Sequence, residues 1–178
     1  MTLTLAPDWQ TSQWFNSPPL RLQALRGRVV VLEVFQMLCP GCVSHALPQA
    51  LEIAQTFRPE DVAVIGLHSV FEHHAAMTPV ALEASLHEYR IGFPVGVDQV
   101  VPGSPIPATM QAYRMQGTPT TILIDRVGRV RLQHFGRLRD LAIGAQVAAL
   151  VGEAPLISGA AGSAPSTGCD EHGCPLPG

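Results

Sequence analysis

An apolar run, Val29-Val30-Val31-Leu32-Glu33-Val34-Phe35, is followed after three residues by Cys39-Pro40-Gly41-Cys42, and the cysteine pair opens an amphipathic stretch. No other feature constrains the chain as tightly. A β-branched run of this length fills a strand buried on both faces. Beyond the cysteines, Val43, Ala46, Leu47, Ala50, Leu51, Ala54 and Phe57 recur at three- and four-residue spacing, which marks one face of a helix. Pro48 removes a hydrogen bond from that helix and predicts a kink. A strand that feeds a helix through two cysteines places both sulfurs at the first turn. Free N–H groups and the positive end of the helix dipole there favour a thiolate. A free thiol titrates near ~8.5, and such surroundings lower it to roughly 3.5–7.5. Cys39, at the exposed end, is expected to attack, and Cys42, one turn deeper, to resolve the mixed disulfide. A half zinc site is the alternative. Zinc wants four ligands, and the only other cysteines, Cys169 and Cys174, lie far along the chain.

The remaining pattern alternates strands with helices. Val62-Ala63-Val64-Ile65-Gly66-Leu67 reads as a second buried strand ending at His68. Thr78-Pro79 supplies an N-cap and a first-turn proline; Leu82, Leu86 and Tyr89 continue that helix, and Gly92 is placed to stop it. Phe93 to Val97 reads as a short strand, the proline-rich segment 101–107 as a loop, and Ala108 to Met115 as a short helix. Thr120 to Asp125 and Arg129 to Phe135 form a hairpin around Val127-Gly128, and Leu138, Leu141, Ala142, Ala145, Ala148 and Ala149 mark a last helix. These elements predict an α/β fold with a mixed central sheet flanked by helices. Residues 1–13 read as an irregular N-terminal segment and residues 14–151 as the folded domain. Residues 152–178 read as a Gly/Ala/Ser/Pro-rich linker with a flexible cysteine-containing tail.

Composition removes several functional classes. Eleven basic and fourteen acidic residues give a formal charge of −3, which leaves no electrostatic footprint for nucleic acid or an anionic membrane. No apolar run reaches the ~20 residues a membrane-spanning helix needs. Residues 1–14 lack the basic and apolar regions of a secretory signal, so a cytoplasmic setting is expected. The four cysteines fall into two close pairs, and in a reducing compartment close pairs serve redox or metal chemistry more often than structural bridging.

The segment Leu25-Arg26-Gly27-Arg28-Val29-Val30-Val31-Leu32-Glu33-Val34-Phe35, with the cysteine pair that follows, resembles the thioredoxin superfamily. It is most similar to the TlpA-like and redoxin-type disulfide reductases, including modules of NHL-repeat proteins. Tyr113-Arg114-Met115-Gln116-Gly117-Thr118-Pro119-Thr120-Thr121 resembles the segment that carries the family's cis-proline, and Asp125 to Gly128 matches its hairpin turn. The resemblance covers residues 14–151 and implies a thioredoxin-like fold. It implies that Pro119 is the cis-proline facing the cysteines, that Thr118 offers its backbone to a substrate chain, and that Pro40 and Gly41 border the same contact. Glu33, six residues before Cys39, falls where thioredoxins place a buried acid. A carboxylate in an apolar strand should have a raised pKa, which would let it take the proton of Cys42; a strand end turned toward solvent is the alternative. His45 falls where several TlpA-like proteins have a glutamate beside the pair. It either tunes Cys42 or is a solvated helix residue.

Three departures stand out. Leu38 replaces a common tryptophan, and Pro48 sits one residue later than in relatives, which implies a helical bulge. Leu32 and Gln36 occupy positions where a peroxiredoxin carries its proline and its hydroxyl residue, so a peroxidase built on Cys39 would lack its usual peroxide-activating group.

The tail pair, Cys169 and Cys174, allows three readings: a second dithiol relaying electrons to Cys39, a metal clip with His172, or incidental thiols. A 17-residue linker reaches roughly 23 Å, against a core radius of gyration near ~14 Å, so the relay is within range. His68, at the C-terminal end of a parallel strand, is an accessory candidate because ligand sites gather at that edge. His73, His74 and His87 fit no metal template, and no metal site is assigned. The expected function is thiol–disulfide exchange, with the reductase direction favoured and no cofactor required. Its partners would be a disulfide-containing protein or small molecule and a recycling reductant, without nucleic acid or membrane. A thiol peroxidase and a non-enzymatic metal- or partner-binding module are the alternatives.

Overall fold

The structure is a computed structural model and describes residues 4–153. Its elements are β1 (Thr11–Phe15), β2 (Val29–Phe35), α1 (Leu47–Thr56), β3 (Val62–His68), α2 (Pro79–Glu88), β4 (Val95–Asp98), α3 (Ala108–Ala112), β5 (Thr120–Ile124), β6 (Val130–Phe135) and α4 (Asp140–Gly152). A 3₁₀ turn (Leu22–Leu25) precedes β2, and a π-helical turn (Cys42–Ala46) precedes α1. The strands form one mixed sheet in the order β1-β4-β3-β2-β5-β6. β2 runs parallel to β3 and antiparallel to β5, at the centre of the sheet. This is a thioredoxin-like α/β fold.

Period-two alternation divides the core. Val29, Val31 and Phe35 of β2 pack with α1, α2 and α4 through residues such as Leu47, Leu82, Ile143 and Val147. Val30, Leu32 and Val34 pack on the opposite face with Trp9, Leu22, Leu25 and Tyr113. All seven residues of β2 and of β3 are buried, and each fully buried Val, Leu or Ile contributes about 1.5–3 kcal/mol. Glu33 falls in the first alternation, so it shares the face that carries Cys42 and α1.

The N-terminal segment is not irregular up to residue 13. β1 begins at Thr11 and pairs antiparallel with β4, and Leu5 bridges to Arg129, so the folded domain starts before residue 14. Its cause is non-local. Trp14 lies opposite Gly96, where a Cβ would stand 3.2 Å from the indole, so the bare glycine makes room for the ring. The short strand expected over Phe93 to Val97 forms two residues later at its start, as Val95–Asp98. α2 ends at Glu88, and Arg90 (φ 54°) makes the left-handed stop expected of Gly92. Tyr89 is left exposed. α3 stops at Ala112, short of the expected Met115, and Arg114 (φ 51°) turns the chain toward β5.

The kink expected at Pro48 appears as a widened turn just before it. The Leu47 N–H bonds to the carbonyl of Cys42, five residues back. α1 then starts afresh with Pro48 in its first turn, where no N–H is required. α4 buries Ile143, Val147 and Leu150 and leaves Leu141 exposed. No helix among the described residues is long and apolar enough to cross a membrane. The tail candidates Cys169 and Cys174 lie outside the described residues.

Candidate active site

β2 delivers the chain to the site and ends at Phe35. A turn over Gln36, Met37 and Leu38 follows, closed by the Cys39 N–H donating to the Gln36 carbonyl at 3.1 Å. Helical backbone begins at Pro40. The Cys39 carbonyl then accepts from the N–H groups of Cys42 and Val43, both at 3.1 Å. The Cys42 N–H also lies 3.3 Å from the Cys39 sulfur, so a first-turn amide is aimed at that atom. Such an amide stabilises negative charge on sulfur. Cys39 is half-buried and Cys42 is fully buried, and both are free thiols.

The loop before β5 closes the other side. The Thr118–Pro119 peptide is cis, and the Thr118 carbonyl accepts from the Cys39 thiol at 3.6 Å. Pro119 is buried. A Cβ on Gly41 would sit 3.5 Å from the Pro119 ring, so the helix start and the proline are in ordinary contact. Phe135 packs over Gly117, where a Cβ would lie 2.8 Å from its ring, and the Gly136 N–H donates to the Pro119 carbonyl at 2.8 Å.

Burial pushes the Cys42 thiol well above the ordinary range, and its hydrogen bond with Cys39 adds to this; the Gln36 backbone and the Thr118 side chain pull it back in part. A thiol buried in this way reacts as a thiolate only if a neighbouring group takes its proton. Glu33 is 1 % exposed, and burial raises its pKa to about 8, against the opposing effect of a hydrogen bond from Thr121. The Thr121 hydroxyl donates to Oε2 at 2.8 Å, and Oε1 has no partner among the described residues. An oxygen left unpaired at such depth favours the protonated carboxyl.

His68 is buried at the end of β3, where burial lowers its pKa to about 4. Its Nε2 accepts from the Met37 N–H at 3.4 Å, and its ring lies 5.3 Å from that of Phe35. It thus supports the turn that presents Cys39. His45 is exposed on the π-helical turn. Among the described residues, no three His, Cys, Asp or Glu side chains converge as a metal site.

Two polar residues at the site escape the sequence patterns. Thr121 was legible only as the second threonine after Pro119; its place opposite Glu33 depends on the β2–β5 register. Gln36 reads in sequence only as a missing hydroxyl. It is buried, its Oε1 accepts from the Phe71 N–H at 3.2 Å, and its Nε2 reaches Glu72 and Thr118.

A strand, a cysteine pair at a helix start and a facing cis-proline on this sheet define the class of thioredoxin-like thiol–disulfide oxidoreductases. Within it, the chain belongs to the AhpC/TSA family, whose sequence pattern matches residues 4–133. It is 55% identical to a thioredoxin-like superfamily protein, SPOA0173, whose crystal structure superposes with a TM-score of 0.83 over 86% of this chain and 99% of that one. A thiol-disulfide isomerase from Corynebacterium glutamicum is 49% identical, with a TM-score of 0.81 over 84% of this chain and 98% of that one. DipZ of Mycobacterium bovis is 30% identical over 135 residues, which are 74% of this chain and 18% of DipZ, so the chain spans less than a fifth of that relative. The thiol-disulfide oxidoreductase ResA of Halalkalibacterium halodurans is 22% identical over 68% of this chain and 61% of ResA.

Proposed function

We propose that this oxidoreductase reduces disulfides through Cys39 and Cys42. The observation that carries the reading is the setting of the Cys39 sulfur: half-exposed, 3.3 Å from the Cys42 N–H and 3.6 Å from the Thr118 carbonyl. A thiolate at Cys39 attacks one sulfur of a substrate disulfide. A Cys39–substrate disulfide forms, and the other substrate sulfur leaves as a thiolate and takes a proton. Cys42 then passes its proton to the ionised form of Glu33 and attacks the Cys39 sulfur. The Cys39–Cys42 disulfide forms and the second substrate thiolate leaves. Two electrons have moved to the substrate, and an external dithiol reductant restores the pair. With a pKa near 8, Glu33 is ionised in roughly one molecule in ten at pH 7, a fraction that rises with pH.

Thr118 and Pro119 border the Cys39 sulfur, which suits them to hold a substrate backbone beside it. The reductase direction goes with a compartment, such as the cytoplasm, that keeps close cysteine pairs reduced. Disulfide-containing proteins are the substrate class that fits a half-exposed sulfur flanked by backbone, and small disulfides also reach it. The test is trapping: Cys42→Ser should accumulate a covalent adduct with a disulfide substrate, and Cys39→Ser should form none. A Cys42→Ser protein that forms no adduct rules the two-cysteine mechanism out. Peroxide consumption faster than disulfide reduction would favour the peroxidase instead.

A further inference from the structure

The β2–β3 ladder ends at the pair Phe35 and His68, yet the chain beyond it stays fastened to the end of β3. The Phe35 carbonyl accepts from the Ser69 N–H at 3.1 Å, a backbone bond at the ladder's end. Two side chains carry the pairing further. His68 Nε2 accepts from the Met37 N–H at 3.4 Å, and Gln36 Oε1 accepts from the Phe71 N–H at 3.2 Å. Each segment thus lends a side chain to the other's departing backbone. The His68 side chain is 1 % exposed, and its ring is tilted at 50° to that of Phe35 with centroids 5.3 Å apart, so packing fixes where its nitrogens stand. Accepting at Nε2 requires that nitrogen to carry no hydrogen, which puts the ring hydrogen on Nδ1.

The Met37 bond falls in the middle of the three residues that separate β2 from Cys39. The ladder holds their near end, and the Cys39 N–H, donating to the Gln36 carbonyl at 3.1 Å, closes their far end. Met37 is half-buried, and an amide left there without an acceptor turns toward water and draws the turn with it. Cys39 lies only two residues on. Its sulfur stands 3.3 Å from the Cys42 N–H, and a displaced turn lengthens this contact, which favours the thiolate. We propose that His68 is a positioning residue for the attacking step: by receiving the Met37 N–H at Nε2, it holds the turn so that the Cys39 sulfur stays on the Cys42 amide. The inference rests on Cys39 being the attacking thiol and deepens that reading.

The test follows Cys39 in the full-length Cys42→Ser protein, which keeps the backbone amide at that position. Alkylation by iodoacetamide, read by mass spectrometry of the Cys39 peptide, and adduct formation with a disulfide substrate are timed at pH 7 and pH 9.5. His68→Phe keeps an aromatic ring against Phe35 and loses the acceptor. It should slow both reactions about three-fold at pH 7, the effect of one hydrogen bond on the thiolate population. At pH 9.5, where thiols are largely ionised, the difference should vanish. His68→Gln sets an amide oxygen near the place of Nε2 and should restore the wild-type rates. Wild-type rates in His68→Phe at pH 7 overturn the proposal. So does equal slowing in His68→Phe and His68→Gln, or slowing that persists at pH 9.5, which would mean a change in access rather than in ionisation. If His68→Phe does not fold, His68→Asn is compared with His68→Gln. The shorter asparagine falls short of the Met37 N–H and should be the slower of the two, and equal rates again overturn the proposal. A Cys39→Ser protein that still forms the adduct would instead strike attack by Cys39 itself.

Discussion

Thr121 stands directly opposite Glu33 across the β2–β5 ladder, and its hydroxyl donates to the carboxylate at 2.8 Å. This single bond opposes the much larger effect of burial, leaving the acid with a pKa near 8 rather than higher. The pair sits on the sheet face that Cys42 and α1 share. Glu33 is therefore held where its ionised form becomes common just above neutral pH.

Resolution should accelerate as pH rises toward about 8 and level off beyond it, following ionisation of Glu33. Glu33→Gln removes the acceptor and should slow mixed-disulfide decay about ten- to a hundred-fold at pH 8, with that pH dependence gone. Thr121→Val removes the bond that lowers the pKa, so its midpoint should move above that of wild type, while Thr121→Ser should keep it. Stopped-flow decay of the adduct between pH 6 and 10 reads all three; an unchanged profile in Glu33→Gln would exclude the carboxylate as the proton acceptor.

The same carboxyl ties stability to pH, with His68 acting in the opposite sense. Glu33 has a native pKa raised from 4.5 to about 8, so its contribution is full below pH 4.5 and is lost as pH rises through 8. His68 has a native pKa lowered from 6.5 to about 4, so its contribution is full above pH 6.5 and is lost as pH falls through 4. Between 4.5 and 6.5 the two slopes oppose each other, and the reduced protein should be most stable there. Glu33→Gln should stabilise the fold at pH 8 by on the order of 3–5 kcal/mol and flatten the alkaline limb, as measured by urea denaturation across pH. A variant no more stable than wild type at pH 8 would show that the native carboxyl is not held protonated.

What the sequence discloses here is what local periodicity and local motifs carry. β2, β3, the β5–β6 hairpin and the helix behind Cys39 follow from runs and spacings within a few residues of each other. The placement of Cys39 at a half-exposed helix start needs no long-range information either. β1 escapes because its reason is Gly96, far along the chain, whose missing side chain receives Trp14. Thr121 and Gln36 escape for a similar reason. Each is an ordinary polar residue until the sheet register or a loop supplies its partner, Glu33 in one case and Phe71 and Thr118 in the other. The resemblance to thioredoxins pointed to Glu33 and Pro119 but not to the groups that orient them.

Asp98 is a buried carboxylate whose partners lie on two separate parts of the chain. It accepts from the Ser69 hydroxyl at 2.8 Å and from the N–H groups of Thr109 and Met110 at 2.8 and 3.1 Å. Those amides open α3, and the Thr109 hydroxyl in turn receives the Gln10 N–H at 2.9 Å, which ties in the chain just before β1. Asp98→Ala leaves these donors buried without an acceptor and should cost about 2–4 kcal/mol in urea denaturation. Asp98→Asn keeps one acceptor oxygen and should cost less. Equal losses would mean that size rather than hydrogen bonding matters at this position.

Two glycines near the site should respond to alanine in opposite directions. On Gly66, in the middle of β3, a Cβ would stand 3.0 Å from Val95, 3.1 Å from Phe93 and 3.2 Å from Phe35. All three side chains are buried, so none can swing into solvent, and Gly66→Ala should destabilise by about 1–3 kcal/mol through overpacking. Gly41 has helical backbone angles (φ −66°, ψ −32°), and its Cβ would meet the Pro119 ring at an ordinary 3.5 Å. Gly41→Ala should then stabilise by up to about 1 kcal/mol, because alanine loses less backbone freedom on folding. Thermal and urea denaturation of both variants in reducing buffer reads the contrast. A destabilised Gly41→Ala protein would mean that the helix start must move against Pro119, and that the contact between them is tighter than the geometry places it.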